Sequence, residues 1–178
     1  MTGFFDYVRN WCGPLKQSQV DGFNAILAAT EGHPLEHRAY MLATAWHETA
    51  QTMQPIHERG GKAYFRKYDA GTKIGKALGN TLPGDGYKFR GRGYVQITGR
   101  RNYSKASTIT GVDLLADPDK ALDPVIAAKI IVDGMTKGWF TGKKLSNYFN
   151  DKTDNPVQAR RIIDRMVAAE QVSAPAAA

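Results

Sequence analysis

The feature that most constrains this chain is a glycine-rich segment at its centre. Residues 59–99 contain ten of the eighteen glycines and few long apolar side chains. Loops of more than about 15 residues within a compact domain are usually functional or disordered. Aromatic residues throughout the segment argue against disorder, so we expect ordered loops with a short helix near Lys62–Tyr68 and a short strand over Tyr94–Thr98. The aromatic residues are Tyr64, Phe65, Tyr68, Tyr87, Phe89 and Tyr94.

Helical patterns flank this segment on both sides. Ser18 and Gly32 enclose one helical run, and a second extends from Leu35 to about Gln51. Toward the C-terminus, three Asx-Pro pairs predict helix starts, because a capping side chain followed by proline suits a first helical turn. These pairs are Asp117-Pro118, Asp123-Pro124 and Asn155-Pro156. We expect the helix that begins at Pro124 to end near Gly134–Gly138 and the helix that begins at Pro156 to end near Val167. The sequence therefore predicts a mainly α single domain with at most a short β-hairpin.

The helix from Leu35 has a predicted inner face. Leu35, Ala39, Leu42 and Trp46 share one stripe at helical spacing, which we expect to face the core. Glu48 lies far from that stripe on the helical wheel. This geometry predicts that Glu48 points away from the core.

Positive charge is concentrated in the glycine-rich region. The chain has 24 Lys and Arg and 17 Asp and Glu, a net charge of +7. Residues 59–105 hold twelve basic and two acidic residues, so the whole excess belongs to this region, and the rest of the chain is at −3. Such a segment favours an anionic partner, either nucleic acid, a membrane surface or an acidic polymer, over a merely soluble surface. We expect no nucleic-acid partner, because no reader motif accompanies the charge.

Several other classes are disfavoured. No apolar stretch approaches 18 residues, and the N-terminus lacks the pattern of a signal peptide, so we expect a protein made in the cytoplasm without a transmembrane segment. The single cysteine, Cys12, excludes an intrachain disulfide. His47 and Glu48 begin like a zinc-protease helix, but Gln51 stands where the second histidine is required. The glycine loops lack the spacing of nucleotide-binding loops, so we expect neither a metal nor another cofactor.

Two of the five glutamates border the loop region. Glu48 ends a helix, and Glu58 opens the glycine-rich segment. A hairpin-like return of the chain would place them across a cleft from each other. Two carboxyl groups across a cleft, one protonated and one ionised, are what hydrolysis of a glycosidic bond requires. The alternative is that Glu48 is a solvated helix-face carboxylate and Glu58 an ordinary partner of Arg59.

Three blocks, in this order and spacing, resemble the chitinases of glycoside hydrolase family 19. They are AWHET at 45–49, HERG at 57–60 and YKFRGRGYVQIT at 87–98 with Asn102-Tyr103, and the stretch at 138–145 extends the similarity. Among these enzymes, the bacterial and phage endolysins that act on peptidoglycan are the most similar group. The resemblance implies a lysozyme-like fold and hydrolysis of a β-1,4-linked polysaccharide.

The resemblance also implies residue roles. Glu48 corresponds to the general acid and Glu58 to the general base, which activates a water for attack with inversion, and such pairs stand about 6.5–9.5 Å apart. Thr98 takes the position of a hydroxyl residue that helps to hold this water. Gln96 and Asn102 match positions that hydrogen-bond N-acetylated sugars. The further substrate-binding candidates are His47, Arg59, Tyr87 and Tyr94; His47 and Arg59 would orient the acids, although His47 could equally be a core histidine.

The positive charge constrains these roles. A general acid works best when it stays protonated near the working pH, whereas neighbouring Arg and Lys favour the ionised form. We therefore expect Glu48 to be shielded against Trp46 or Tyr94, with the basic residues directed elsewhere. Arg90 and Arg92 are expected to pair with Glu58 or to bind loop carbonyls; a direct grip on a substrate carboxylate is a further alternative.

The chain also departs from the family pattern. Plant members contain disulfides, which this chain cannot form, and Asp164 stands where the family often has an asparagine, which puts the matching sugar subsite in question. We expect a catalytic domain over 1–167 and a flexible tail over 168–178. The predicted function is that of a monomeric endolysin acting on cell-wall peptidoglycan after release. Chitin is the alternative substrate, and a non-catalytic cationic cell-wall binder is the alternative of another class.

Overall fold

The computed structural model describes residues 3–163, which form a mainly helical fold. The predicted fold class is therefore confirmed. Four turns of 3-10 helix, at Arg66–Tyr68, Pro118–Leu122, Leu145–Asn147 and Arg160–Ile162, supplement the regular elements. The α-helices are α1 (Phe4–Cys12), α2 (Gln17–Ala29), α3 (Leu35–Glu48), α4 (Lys62–Phe65), α5 (Lys73–Leu78), α6 (Asp85–Lys88), α7 (Arg100–Thr110), α8 (Pro124–Lys137) and α9 (Pro156–Ala159). The strands are β1 (Ile56–His57), β2 (Arg92–Gly93), β3 (Phe149–Asn150) and β4 (Thr153–Asp154).

Helix α8 is the centre of the core. Its sequence is almost continuously apolar, which suits a helix buried on most of its surface, and it packs against α2, α3 and α7. The Asp123 carboxylate caps its start by accepting the N–H groups of Val125 and Ile126 at 2.9 and 3.1 Å. Gly138, with φ of 73°, ends it in the left-handed conformation. The buried members of α8 are Ala127, Ala128, Ile130, Ile131, Val132, Gly134 and Met135.

All three predicted Asx-Pro helix starts are confirmed. Asp117 caps the 3-10 turn Pro118–Leu122, and Asn155 caps α9 by accepting the N–H of Gln158 at 3.0 Å. After α9 the chain continues as the 3-10 turn Arg160–Ile162. Asp164, the expected continuation of this helix to Val167 and the expected tail at 168–178 lie outside the described residues.

Two local predictions are wrong. The stripe of α3 predicted to face the core is wrong at two of its four positions, since Leu35 is 72% exposed and Ala39 is exposed, whereas Leu42 is buried and Trp46 packs half-buried against the core. Met41 and Ala45 are the further buried positions. The apolar pattern alone does not distinguish the two faces, because small and apolar residues occur on both. The expected strand at 94–98 is a turn, since φ of Gln96 is +51°, which is incompatible with an extended run.

The glycine-rich region folds as ordered loops around a small antiparallel pair. Strand β1 pairs with β2, in the register Ile56 to Gly93 and His57 to Arg92. Between them lie α4, α5 and α6, and the predicted helix near Lys62–Tyr68 is confirmed as α4 followed by a 3-10 turn. A second pair, β3 with β4, lies near the end of the described chain. Within residues 3–163 no helix has the length and apolar character to cross a bilayer.

Candidate active site

Glu48 is the last residue of α3, and the chain turns sharply after it. The hydroxyl of Thr49 donates to the Ala45 carbonyl at 2.7 Å and accepts the N–H of Met53 at 3.0 Å, which closes the end of the helix. Ala50, Gln51 and Met53 then have positive φ values of 47°, 67° and 52°. Such conformations cost free energy in residues other than glycine and cluster near functional sites.

This turn is held against α2. Gly22 of α2 approaches so closely that a Cβ atom built there would stand 1.8 Å from the Met53 carbonyl oxygen. The Gln19 side chain donates to the Gln51 carbonyl at 2.8 Å, and the Gln54 side chain donates to the Ser18 carbonyl. The packing of α2 therefore fixes the strained turn and with it the end of α3 that bears Glu48.

The Glu48 carboxylate pairs with Arg160. The Arg160 guanidinium Nη2 donates to Oε1 of Glu48 at 2.6 Å, and the two side chains are 26% and 18% exposed. The expectation that basic residues are directed away from Glu48 is therefore wrong. Trp46 instead packs on Phe23 and Trp11, with ring centroids at 5.8 Å in both pairs. Arg160 comes from the 3-10 turn after α9 and reaches Glu48 from the far end of the described chain.

Glu58 directly follows β1 and is bound at both carboxylate oxygens. The Tyr68 hydroxyl donates to Oε1 at 3.1 Å, and the Gly91 N–H donates to Oε2 at 3.1 Å. The Glu58 N–H in turn donates to the Gly91 carbonyl at 2.8 Å. A Cβ atom at Gly91 would lie 3.1 Å from both Cβ and Oε2 of Glu58. Glycine therefore allows this part of the backbone to approach the carboxylate without crowding it.

Tyr68 remains a donor at neutral pH. Burial, together with the nearby Glu58 carboxylate, raises the pKa of the Tyr68 hydroxyl above its usual value of about 10. A protonated hydroxyl and a backbone N–H both stabilise a carboxylate in its ionised form. The two donors therefore fix the orientation of the Glu58 carboxylate.

The two arginines on either side of Gly91 donate hydrogen bonds to carbonyl groups of the loop backbone. Arg90 donates to the Tyr87 carbonyl at 2.9 Å and lies over the Tyr87 ring at 4.3 Å. Arg92 is 3% exposed; it pairs with Asp119 at 2.7 Å and donates to the carbonyls of Lys88 and Arg90 at 2.9 and 3.2 Å. Of the sequence alternatives, the binding of loop carbonyls is confirmed, and in residues 3–163 neither arginine pairs with Glu58.

Thr98, Gln96 and Asn102 lie in the turn that leads from β2 into α7. The Thr98 hydroxyl donates to the Gln96 carbonyl at 2.9 Å. Within residues 3–163 its oxygen accepts no hydrogen bond from a main-chain N–H. The Gln96 amide donates to the carbonyls of Ile56 and Gly93 at 2.8 and 3.1 Å, and Asn102 donates to the Thr98 carbonyl at 2.8 Å. The side-chain N–H groups of Gln96 and Asn102 thus hold the turn, and all three residues are half-buried.

The remaining candidates separate into surface and core residues. His47 and Arg59 are exposed, so the alternative of a core histidine at 47 is wrong. Tyr87 is half-buried, with the Lys62 ammonium 5.6 Å from its ring centroid. Tyr94 is fully buried, which leaves it no surface for contact with a substrate, and burial raises the pKa of its hydroxyl to about 12. We assign Tyr94 to the core.

A cavity of about 550 Å³, the candidate substrate cleft, opens along the last turns of α3. His47 and Arg160 both line it, so the partner of Glu48 forms part of the cavity wall. Its other walls come from α3 and from the start of α9, and the lining residues are Tyr40, Ala43, Thr44, His47, Pro156, Val157 and Arg160. The cavity can accept a polar ring the size of a sugar at the helix end that bears Glu48.

Two residues of the site were not predicted from sequence. Tyr68 lies ten positions from Glu58, and Arg160 lies 112 positions from Glu48. The sequence showed Tyr68 only as one aromatic residue of the loop region and Arg160 only as a helical residue. In residues 3–163 no group of three or more His, Cys, Asp or Glu side chains is arranged to hold a metal ion.

The fold is that of bacterial chitinases of known structure. Chitinase C from Streptomyces griseus HUT6037 aligns with a TM-score of 0.58 and 21% identity, covering 85% of this chain and 71% of that one. A second bacterial family 19 chitinase aligns with a TM-score of 0.51 and 23% identity, covering 83% and 73%. At these identities the likeness establishes the fold.

The family follows from the sequence itself. The family model of class I chitinases, glycoside hydrolase family 19, matches residues 18–147. The chain therefore belongs to glycoside hydrolase family 19, and it is a glycosidase of the class that acts on β-1,4-linked polysaccharides. No match is found among curated proteins.

Proposed function

We propose that this glycosidase cleaves the β-1,4 bonds of bacterial peptidoglycan with inversion, using Glu48 as the general acid and Glu58 as the general base. The observation that supports these roles is the difference between the hydrogen-bond partners of the two carboxyl groups. Glu58 is held by a tyrosine hydroxyl and a backbone N–H, whereas Glu48 is held by one arginine, which itself lines a cavity. An inverting mechanism needs such a difference, because one carboxyl group gives a proton while the other takes one.

Glu58 activates the attacking water in this proposal. Both of its oxygens accept a hydrogen bond from a donor within the protein, which fixes the orientation of the carboxylate. Each carboxylate oxygen has a second lone pair, with which it can accept a proton from water. The Thr98 hydroxyl gives its hydrogen to the Gln96 carbonyl, so its oxygen is left to accept a hydrogen bond from the same water.

Glu48 protonates the leaving oxygen in this proposal. In the structure its partner is Arg160, whose guanidinium binds Oε1 of the carboxyl group. Arg160 also lines the cavity, so a sugar bound there contacts the guanidinium. We propose that Arg160 holds the Glu48 carboxyl group in the orientation from which it gives its proton to the leaving oxygen, while the guanidinium also contacts the bound sugar.

Charge favours peptidoglycan over chitin. Residues 59–105 hold twelve basic and two acidic residues, and this region surrounds Glu58. Peptidoglycan bears free carboxylates on its peptides, whereas chitin is uncharged. Complementary charge raises the rate of encounter with an anionic polymer. Chitin stays the second candidate, because the solved proteins with a similar fold are described as chitinases.

The variant Glu48→Gln tests the enzymatic proposal. We expect it to abolish the clearing of a peptidoglycan suspension while binding to the polymer persists, because the amide keeps the shape of the carboxyl group but cannot give the proton. Glu36→Gln is the matched control, since Glu36 is exposed near the start of the same helix. Mass spectrometry of the new reducing ends identifies the sugar on either side of the cleaved bond.

Two outcomes contradict the proposal. Cleavage of chitin oligosaccharides without cleavage of peptidoglycan makes the protein a chitinase. Binding of peptidoglycan by the unmutated protein without any cleavage of either polymer supports the alternative of a non-catalytic cationic binder.

A further inference from the structure

Helix α1 has an apolar stripe that is wider than its contact with the core. At about 100° per residue, its apolar positions span roughly half of the helical wheel. The inner half of the stripe, with Val8 at 7% exposure, packs against the core. The outer half lies in solvent: Phe4 is 40% exposed, Tyr7 71% and Trp11 67%. Large exposed aromatic side chains grouped on one face usually mark a binding surface.

This outer face adjoins the helix that bears Glu48. The Trp11 ring centroid lies 5.8 Å from that of Trp46, which precedes Glu48 by two residues. Trp46 in turn stacks on Phe23 of α2, with an interplanar angle of 27°. The aromatic face of α1 is therefore fixed relative to the catalytic end of α3 by packed rings.

Helix α1 lies outside the part of the chain that defines the family. The family match begins at residue 18, whereas α1 ends at Cys12. The exposed rings of α1 therefore lie outside the region of the chain that matches the family.

We propose that Phe4, Tyr7 and Trp11 form a second binding surface for the glycan strands of peptidoglycan, outside the catalytic cleft; this inference rests on the proposed function. The flat rings offer apolar faces for the C–H face of a pyranose, and the tyrosine hydroxyl and indole N–H offer hydrogen bonds to sugar hydroxyls. From residue 4 to residue 11 the helix rises about 10 Å. The rings therefore follow a line that contacts more than one sugar.

Other occupants fit the surface less well. Helices that lie on membranes are rich in Lys and Arg on the polar face, whereas the two charged residues of α1, Asp6 and Arg9, pair with each other at 3.4 Å. A stable interface between two copies needs about 800 Å² from each partner. Three partly exposed rings, which bury at most about 150–250 Å² each, supply clearly less.

The double variant Tyr7→Ala/Trp11→Ala tests this surface. We expect its affinity for insoluble peptidoglycan sacculi in a sedimentation assay to fall on the order of tenfold, because aromatic anchors supply much of the binding energy at such surfaces. Turnover of a short soluble glycan, which occupies only the cleft, should stay within about twofold of the unmutated protein. Leu82→Ala is the matched control, since Leu82 is 55% exposed but does not belong to α1.

The conservative variant Tyr7→Phe/Trp11→Phe separates ring stacking from a loss of folding. It should retain most of the affinity for sacculi and the melting temperature of the unmutated protein. Unchanged sedimentation of the double alanine variant overturns the proposal. An equal loss on the soluble glycan also overturns it, because the rings then act on the cleft or the fold.

Two further outcomes assign the surface to another partner and so overturn the proposal. One is a dimer of the unmutated protein that the double alanine variant abolishes. The other is binding of the unmutated protein to phosphatidylglycerol vesicles that the variant loses. If the unmutated protein cleaves no glycan at all, the proposed function fails, and the affinity for sacculi alone then decides for or against the α1 surface.

Discussion

At the residue scale, the candidate site depends on two donors that lie far from the motifs. Tyr68 and Arg160 are the side chains that orient Glu58 and Glu48, with contacts of 3.1 and 2.6 Å. Neither belongs to the three blocks that resemble the family. The blocks therefore contain the two glutamates, and side chains from other parts of the chain bind their carboxylates.

Tyr68→Phe tests the orientation of the base. We expect kcat to fall on the order of tenfold, because a hydrogen bond to a charged group is worth about 1.5–3 kcal/mol, while KM changes little. Tyr64→Phe is the control, since Tyr64 is 49% exposed and makes no side-chain hydrogen bond to Glu58. Steady-state kinetics on a soluble glycan measures both parameters. Equal kcat values for the two variants would show that Tyr68 has only a structural role.

Arg160→Met tests the partner of the acid. Without the guanidinium, the Glu48 side chain loses its only ion pair among the described residues, so we expect kcat to fall about tenfold or more. Arg161→Met is the neighbouring control, because the side chain of Arg161 makes no hydrogen bond within residues 3–163. An unchanged kcat in Arg160→Met would mean that the ion pair is dispensable for catalysis.

Sequence patterns located the candidate glutamates but not their environment. The position of Glu48 at the end of a helix and that of Glu58 at the start of the loops both follow from local patterns, and the structure agrees with them. The partnership of Glu48 with Arg160 spans 112 residues and depends on how α9 returns to α3. Such a contact is set by tertiary packing, which local periodicity does not predict. The burial of Tyr94 was missed for the same reason.

At the scale of elements, an ion pair between a buried aspartate and a half-buried arginine attaches the loop region to α7. Asp85, at the start of α6, is 3% exposed and binds the Arg100 guanidinium at 2.6 and 2.8 Å. It also accepts the N–H groups of Thr81 and Leu82 at 2.9 and 3.0 Å. This carboxylate therefore joins the loop before α6 to the helix that follows the Thr98 turn.

Asp85→Asn should lower the free energy of unfolding by about 3 kcal/mol, because it leaves a guanidinium and two N–H groups without their anion. Burial alone would raise the pKa of Asp85, but hydrogen bonds from Arg100, Leu82 and Thr81 outweigh it and hold the pKa below its usual value. The stabilisation is thus complete above about pH 4 and is lost as the pH falls further.

Urea denaturation at pH 7 and at lower pH measures this effect. The difference in unfolding free energy between the unmutated protein and Asp85→Asn should shrink as the solution becomes acidic. Asp6→Asn is the control, since Asp6 pairs with Arg9 at the surface and should change stability little. A difference that does not depend on pH would contradict this account of the ion pair.

The short elements were predicted less well than the long ones. The central helix α8 was predicted with its cap and its end, because proline, aspartate and glycine mark it locally. The strand expected at 94–98 failed, since the left-handed backbone of Gln96 is held by bonds from its own amide to the Ile56 and Gly93 carbonyls. A pattern of alternating residues gives no information on such a bond.

At the scale of the whole molecule, the structure divides the basic region into two groups. Arg90, Arg92 and Arg100 are turned inward, where they bind carbonyls and two aspartates. The other nine basic residues of this region are exposed, and they form the surface charge of the loop region. The exposed group is Arg59, Lys62, Arg66, Lys67, Lys73, Lys76, Lys88, Arg101 and Lys105.

Activity on peptidoglycan should therefore weaken with salt. Raising the ionic strength from about 0.01 M to about 0.15 M shortens the Debye length from about 30 Å to about 8 Å, which screens the attraction between exposed charges and an anionic polymer. We expect the rate of clearing to fall several-fold over this range. Hydrolysis of a short uncharged oligosaccharide, measured in the same buffers, should change little. Equal salt sensitivity of both substrates would indicate an effect on the cleft.

The pairing of Glu48 with Arg160 has a consequence for the order of events during synthesis. Both glutamates are translated long before residue 160, because Glu48 and Arg160 are 112 positions apart in the chain. A growing polypeptide accordingly possesses its two carboxyl groups while the arginine that orients one of them does not yet exist. The pair between Glu48 and Arg160 should therefore form only late in translation.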